Sequence, residues 1–225
     1  MLPSTLITAS HQRRSRGGTQ SETAYRILKE KIVTLEFPPA SVLNESQLMT
    51  ALDLGRTPIR EALQRLALEN LVVILPRRGT LVADLNMSDL QKVFELRLEL
   101  ETVAVRWAAE RATAAQIAAL ETLFIEADDL LKSGDYHQLI SLDRQAHRLL
   151  AKAANNEFLE NVLEQLYTHV LRLWYVSLHK VSHLAEAIED HCDIITALKA
   201  GDAERAAGIM ENHIAQFQQD LAPML

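Results

Sequence analysis

Four residues in the second half of the chain have the types and spacing of metal ligands. Asp143 and His147 are four positions apart, so both project from the same side of a helix. His191 and His213 lie, like this pair, on otherwise apolar helical stripes. Because a buried carboxylate without a partner is costly, these four side chains could be stabilised by one shared divalent ion. Imidazole ligands favour Zn or Ni over Mg or Ca. The alternative is a buried Asp143–His147 salt bridge, with the other two histidines hydrogen-bonded separately.

A second group of residues could bind a polyanion. Arg56, Thr57 and Arg60 open a predicted helix, and one helical turn separates the two arginines. An arginine can hydrogen-bond N7 and O6 of guanine together, which distinguishes one base pair from another. Arg77 and Arg78 lie at the tip of a predicted hairpin, from which they can reach phosphate or the minor groove. Their alternative interpretation is a solvated hairpin tip.

Positive and negative charges are distributed unequally between the two parts of the chain that contain these two groups of residues. The net charge is −7, yet residues 1–83 hold 11 Lys and Arg against 7 Asp and Glu. Residues 84–225 hold 12 against 23, so only the first part is suited to a polyanion. The single cysteine, Cys192, excludes an intramolecular disulfide and favours a reducing, cytoplasmic location. The sequence has no apolar run of the ~18 residues that a membrane span needs, so we expect no membrane partner.

Short elements position the basic group. Residues 1–19 are predicted to form a disordered arm. Over residues 20–83 we expect a helix capped by Thr19 or Ser21 and ending near Leu35, then a short helix capped by Asn44. The turn DLGRT leads into a longer helix, PIREALQRLALEN, ending at Asn70; two β-type runs, LVVIL and TLVADL, follow. This order predicts a winged helix-turn-helix, in which the helix after the turn lies in the DNA major groove.

Helices position the four candidate metal ligands. Residues 84–225 are predicted to form an antiparallel, all-α bundle with short connections, so the whole protein is mainly α. The expected segments lie near residues 88–111, 114–133, 135–153, 156–179, 183–199 and 202–221. The predicted caps are Thr113, Asn155, Ser182 and Asp202, and the predicted helix termini are Gly134 and Gly201.

The basic part resembles a known family. The pattern L-x-x-x-R-T-P-I-R-E-A-L-x-R-L, followed by L-V and P-x-R-G-T, is similar to the GntR family of bacterial transcription factors over about residues 20–83. The chain has Gly55 where that family usually has Ser or Thr, and Ser46 where many members have arginine. The resemblance implies DNA contacts at Arg56, Thr57, Arg60, Arg78 and Gly79.

The acidic part resembles the ligand-sensing domain of one GntR subfamily. The stretches DRQAH, EDHCDIITALKAGDAERA and MENHI are similar to the FCD domain of FadR-type members, over roughly residues 88–220. This resemblance implies a helical effector-binding domain with a small organic acid bound beside a metal. The implied metal ligands are Asp143, His147, His191 and His213. The chain departs from the usual pattern at Ala146 and Asp190.

A carboxylate effector would need a cation in its pocket. Arg97 follows an apolar helical stripe and is the first candidate, and Arg172 is the second. Each could instead be a surface or salt-bridging arginine. His169 and its aromatic neighbours could line the same pocket, although aromatic residues at helical spacing also form cores.

Together these features predict a homodimeric transcription regulator, a repressor released from a palindromic operator by the small carboxylate effector. It is not expected to be an enzyme. Two alternatives remain: a metal-dependent hydrolase with a DNA-binding appendage, and an architectural DNA binder with a structural metal. The sequence has no HExxH motif to favour the hydrolase.

Overall fold

A computed structural model describes residues 19–177 and 184–221 of the chain. The chain divides between Asp84 and Leu85 into two compact units, which are described separately. The predicted arm before Thr19 and the predicted cap Ser182 lie outside the described residues.

The first unit alternates helices with short strands. Its elements are α1 (Gln20–Val33), β1 (Val42–Leu43), α2 (Glu45–Leu52), α3 (Arg56–Leu68), β2 (Val72–Leu75) and β3 (Gly79–Val82). The predicted caps are confirmed: the side chain of Thr19 accepts from the backbone N–H of Glu22, and that of Asn44 caps α2. Asn70 has φ 57°, the left-handed conformation expected where α3 ends.

The sheet contains one strand more than predicted. The three strands are antiparallel in the order β1-β3-β2, with Val42 opposite Leu81 and Val73 opposite the same residue from the other side. Two residues are too few for β1 to show a periodic pattern in the sequence. The pairing ties the β2–β3 hairpin to the segment that immediately precedes α2.

An apolar core and a polar network hold α1 against α3. Ile59, Leu63 and Leu66 of α3 are buried together with Leu28 and Ile32 of α1. At the edge of this core, the Tyr25 hydroxyl donates to Glu69 at 2.7 Å and Lys29 Nζ donates to Glu69 at 2.9 Å. The guanidinium of Arg65 lies 3.5 Å from the centre of the Tyr25 ring. These contacts hold α3 against α1.

The second unit is helical throughout its described residues. The helices are α4 (Met87–Arg111), α5 (Ala114–Leu123), α6 (Ala127–Ser133), α7 (Tyr136–Ala153), α8 (Glu157–Ser177), α9 (Leu184–Ala200) and α10 (Ala203–Leu221). The long helix α4 packs against α7, α8, α9 and α10, and is thus the centre of the bundle. None of the described helices combines the length and the apolar character that crossing a membrane requires.

Two sequence predictions for this unit were wrong in detail. The segment at 114–133 is two helices, because the chain leaves the helix at Phe124, whose ring stacks on that of His191 with centroids 5.5 Å apart. The cap of α8 is Asn156 and not Asn155, since Asn156 accepts from the N–H groups of Phe158 and Leu159.

The other predicted caps and glycine termini of this unit are confirmed where they fall within the described residues. Thr113 forms a capping box with Gln116 at the start of α5, and Asp202 accepts from the Arg205 N–H at the start of α10. Gly134 and Gly201 both have φ 68° at helix ends, a conformation that favours glycine.

Candidate metal centre and nucleic-acid interface

The four predicted metal ligands converge on one point. Asp143 and His147 come from α7, His191 from α9 and His213 from α10, and one ligand atom from each lies within 4.8 Å of all the others. The Nε2 atoms of His147 and His213 are 3.3 Å apart. Asp143 Oδ1 is 3.7, 3.8 and 3.9 Å from Nε2 of His147, His191 and His213. All three histidines are buried.

The other ring nitrogen of each histidine lies close to an oxygen atom. His191 Nδ1 lies 2.7 Å from the backbone oxygen of Ala187, and His213 Nδ1 lies 3.3 Å from Asp190 Oδ2. His147 Nδ1 contacts Glu101 Oε2. Carbonyl and carboxylate oxygens only accept, so a neutral ring that uses such a contact carries its proton on Nδ1 and a lone pair on Nε2. Three lone pairs and a carboxylate therefore face one another.

This arrangement fits a divalent metal ion. His191 Nε2 is buried and has no hydrogen-bond partner among the described residues. Nε2 of His147 and Nε2 of His213 cannot bond to each other when both lack a proton. Two nitrogens held at ~2.0–2.1 Å from a tetrahedral Zn²⁺ would be about 3.3 Å apart, and the observed separation is 3.3 Å. One ion would accept electron pairs from all four converging ligand atoms at once.

The charge states of the group suit the same purpose. Burial, reinforced by the neighbouring His213, lowers the pKa of His191 to about 3, so His191 is neutral at physiological pH. Burial alone would raise the pKa of Asp143, but Coulombic attraction to the protonated forms of the three histidines and the hydrogen bond from the Tyr167 hydroxyl hold it below its ordinary value. Neutral imidazoles and an ionised carboxylate are the forms that bind metals.

A cavity adjoins the cluster. The cavity is small, with a volume of about 30 Å³, and it opens to the solvent. Its lining includes Arg97 together with Asp143, His147 and His213. Arg97 is buried, its Nε donates to Glu101 Oε1 at 2.5 Å, and its guanidinium lies 4.9 Å from the centre of the Tyr167 ring. A buried cation thus stands beside the converging ligands, as a carboxylate-binding site would require.

The other two predicted effector residues lie on α8. Arg172 is buried and His169 is partly buried. Of the three predicted effector-binding residues, Arg97 lines the cavity, whereas Arg172 and His169 are not among its described lining residues. Effector binding by Arg172 and His169 stays a prediction.

Sequence reasoning did not identify Glu101 or Asp190 as partners of the histidines. One signal was present: Glu101 follows Arg97 by four positions on the same helix, and a buried arginine needs an acid close by. The pKa of Glu101 is held far below its ordinary value by Arg97 and His147, even though burial opposes ionisation. Glu101 is therefore a buried, charged carboxylate.

The predicted DNA-binding residues of α3 are exposed at its beginning. Arg56, Thr57 and Arg60 all face solvent, and Arg60 Nε lies 3.0 Å from Glu45 of α2. The N-cap of α3 is Gly55, which supplies no side-chain hydrogen bond to the first turn. No side chain of the N-cap residue therefore accepts a hydrogen bond from the N–H groups of that turn. Such N–H groups at the start of a helix are a common binding site for phosphate.

The predicted hairpin tip is also confirmed as structure. Arg77, Arg78 and Gly79 are exposed at the β2–β3 connection. Arg77 has φ 63° and Gly79 has φ 98°, so the tip is a tight turn that uses left-handed backbone. Contacts between these residues and DNA stay a prediction.

Comparison with known proteins agrees with both units. Residues 20–82 match the family described as "Bacterial regulatory proteins, gntR family", and residues 92–216 match the FCD domain. The chain belongs to the GntR family and carries an FCD domain. It is accordingly a DNA-binding transcription regulator with a mainly α fold. The family is one of transcriptional regulators.

Individual relatives extend over most of this GntR-family chain. It is 27% identical over 201 residues to the HTH-type transcriptional repressor RspR of Escherichia coli, covering 89% of this chain and 88% of that protein. It is 31% identical over 173 residues to the Nta operon transcriptional regulator of Aminobacter aminovorans, covering 71% and 81%. The solved structure of E. coli McbR/YncC superposes with a TM-score of 0.82 at 25% identity, covering 92% and 99%.

Proposed function

We propose that this regulator is a cytoplasmic, homodimeric repressor that leaves a palindromic operator when a small carboxylate binds its second unit. The observation that carries the proposal is the convergence of three imidazole lone pairs and Asp143 beside a cavity lined by the buried Arg97. A sensor for an organic acid needs both features, since metal and arginine are the two strong ligands for a carboxylate.

Asp143, His147, His191 and His213 would hold the ion, which is Zn or Ni because imidazole dominates the donor set. When bound, such an ion supplies a Lewis-acidic position that accepts a carboxylate oxygen. Arg97 would orient the same carboxylate through the guanidinium N–H groups that Glu101 does not occupy.

On the DNA side, α3 would lie in the major groove and present Arg56, Thr57 and Arg60 to the base edges. Arg77, Arg78 and Gly79 at the hairpin tip would contact phosphate or the minor groove. The basic charge of this unit supports these contacts, and binding should weaken steeply with salt because phosphate contacts release counterions.

Two recognition helices, one per half-site, require two copies of the chain. The second unit offers a surface for pairing, because α8 exposes Phe158, Val162 and Val176, which are 77%, 44% and 57% accessible. These positions are spaced by 4 and 14 residues, so they share one side of the helix. Exposed apolar side chains that lie together commonly mark interfaces, and Phe158 and Val162, four positions apart, form the pair that supports this proposal.

The test begins with an operator selected from random duplexes on the zinc-loaded protein. Small carboxylates are then titrated while DNA binding is followed by fluorescence anisotropy. We expect one acid to weaken binding by about 5- to 150-fold, the usual range of allosteric coupling. His191→Ala should bind the operator like the wild type but lose the response. A full response in that variant, or after chelation, would remove the metal site from the function.

A further inference from the structure

A single carboxylate joins the candidate metal ligands to the candidate carboxylate-binding arginine. Glu101 Oε1 accepts from Arg97 Nε at 2.5 Å, and Glu101 Oε2 contacts His147 Nδ1. Glu101 is 5% exposed and Arg97 is 2% exposed. Both belong to α4, whereas His147 belongs to α7. One buried negative charge is thus shared between a cation and a metal-binding imidazole.

A second route closes the connection into a ring. The guanidinium of Arg97 lies over Tyr167 of α8, and the hydroxyl of Tyr167 donates to Asp143 Oδ2. Asp143 in turn faces His147 Nε2. Every contact of this ring is shielded from water to a large degree, so electrostatic changes at one member are felt strongly at the next.

The sharing of Glu101 has a chemical consequence. An imidazole whose Nδ1–H is bonded to a carboxylate is a more basic metal ligand, and the partner fixes its tautomer. Arg97 competes for that same carboxylate. A bound organic acid that engages Arg97 would weaken the hold of Arg97 on Glu101, and Glu101 would then act more fully on His147.

We propose that Glu101 is a positioning residue that makes metal and carboxylate bind cooperatively: it orients His147 for the ion and holds Arg97 until a carboxylate engages that arginine. This inference rests on the proposed function, which supplies the two ligands. Because coupling between two binding sites is reciprocal, each ligand should raise the affinity for the other by the same factor.

A purely structural Arg97–Glu101 ion pair makes a different prediction. If Glu101 only stabilised the bundle, its loss would weaken the binding of both ligands. If it couples them, its neutralisation should have effects of opposite sign. The ion should bind less tightly, because His147 loses its anionic partner. A carboxylate should bind the metal-free protein more tightly, because Arg97 is left buried without a counterion.

The experiment compares the full-length wild type with Glu101→Gln, using zinc and acetate as the two probes. Zinc affinity is measured by competition with a chelator, and acetate binding by the rise in melting temperature of the metal-free protein at constant ionic strength. Glu101→Gln should lower zinc affinity by about 10- to 100-fold, the range for second-sphere carboxylates. Its acetate-induced melting shift should exceed that of the wild type, and acetate should raise its zinc affinity less.

Asp190→Asn is the matched control, because Asp190 is the carboxylate partner of His213 Nδ1 and makes no described contact with Arg97. It should lower zinc affinity, and it should raise the acetate shift of the metal-free protein less than Glu101→Gln does, because Asp190 lines the same cavity but is not bonded to Arg97. If Glu101→Gln does not fold, Glu101→Asp serves instead: it keeps the charge but cannot reach both partners, so acetate should enhance its zinc affinity less than in the wild type.

The inference is overturned if the Glu101 variant binds zinc within twofold of the wild type, or if its acetate shift does not exceed the wild-type shift. For Glu101→Asp, an acetate enhancement equal to that of the wild type has the same meaning. If the wild type itself binds neither zinc nor nickel, the proposed metal site fails and this inference falls with it.

Discussion

Replacing His191 by leucine should remove most of the stabilisation by zinc while changing the stability of the metal-free protein little. The wild-type imidazole places a buried nitrogen without a partner in the cluster, and such an atom costs about 1–3 kcal/mol. Leucine removes that cost. It also removes the 2.7 Å hydrogen bond to Ala187 and the ring contact with Phe124, which together are worth about 1–3 kcal/mol. The two changes roughly cancel.

The stabilisation of the folded protein by bound zinc, in contrast, should be lost largely without compensation. At a free concentration 100 times its dissociation constant, an ion that binds only the folded state stabilises it by about 2.7 kcal/mol. For a domain of this size that corresponds to a rise in melting temperature of roughly 5–11 °C. Losing one ligand of four should weaken binding at least as much as losing a second-sphere partner, by about 100-fold. The stabilisation at the same zinc concentration then falls to about 0.4 kcal/mol, or roughly 1 °C.

Differential scanning fluorimetry of chelated and zinc-loaded samples measures both quantities. His137→Ala is the control, since His137 is an exposed histidine of α7 outside the cluster and should keep the full shift. A zinc shift in His191→Leu equal to that of the wild type would show that the ion is held elsewhere. A fall of more than about 10 °C in the metal-free variant would refute the cancellation.

Three further outcomes are expected. Arg56→Ala should weaken binding to the selected operator by about 1–3 kcal/mol, as measured by fluorescence anisotropy, and relax the preference at one base pair; equal loss on every duplex would instead indicate a phosphate contact. Gly79→Ala should destabilise the first unit by about 1–2 kcal/mol in chemical denaturation, because φ 98° disfavours a side chain although the space is open. Phe158→Asp should shift the mass seen by light scattering from dimer to monomer, whereas Ile125→Asp, at an equally exposed site, should not; a dimeric Phe158 variant would exclude this face of α8.

Features fixed by neighbouring residues were predictable from the sequence. The caps Thr19, Asn44 and Thr113 act on N–H groups two or three positions away, so their residue types alone predict them. The metal-ligand group was predictable for a related reason. Asp143 and His147 are polar residues on a buried helical face, and helical periodicity shows which side of the helix they occupy.

Features that depend on distant parts of the chain were not predictable in the same way. Strand β1 is two residues long and exists because Val42 and Leu43 pair with β3, almost forty positions later. The break at Phe124 brings its ring onto His191 of α9. The role of Glu101 required knowing that α4 packs against α7, which places its carboxylate on His147. Local patterns contain no record of such contacts.

The contacts of the three Nδ1 atoms bear directly on the proposed metal binding. Ala187, Asp190 and Glu101 each place an oxygen beside one Nδ1 atom, and these contacts orient the three Nε2 atoms toward one another. In the metal-free protein this fixed geometry prevents the nitrogens from finding other partners, which costs stability. For an incoming ion the geometry is already formed, so little ordering is needed on binding. The affinity for the proposed ion should therefore depend on residues outside the four candidate ligands, so a change that removes one of these oxygens should alter metal binding.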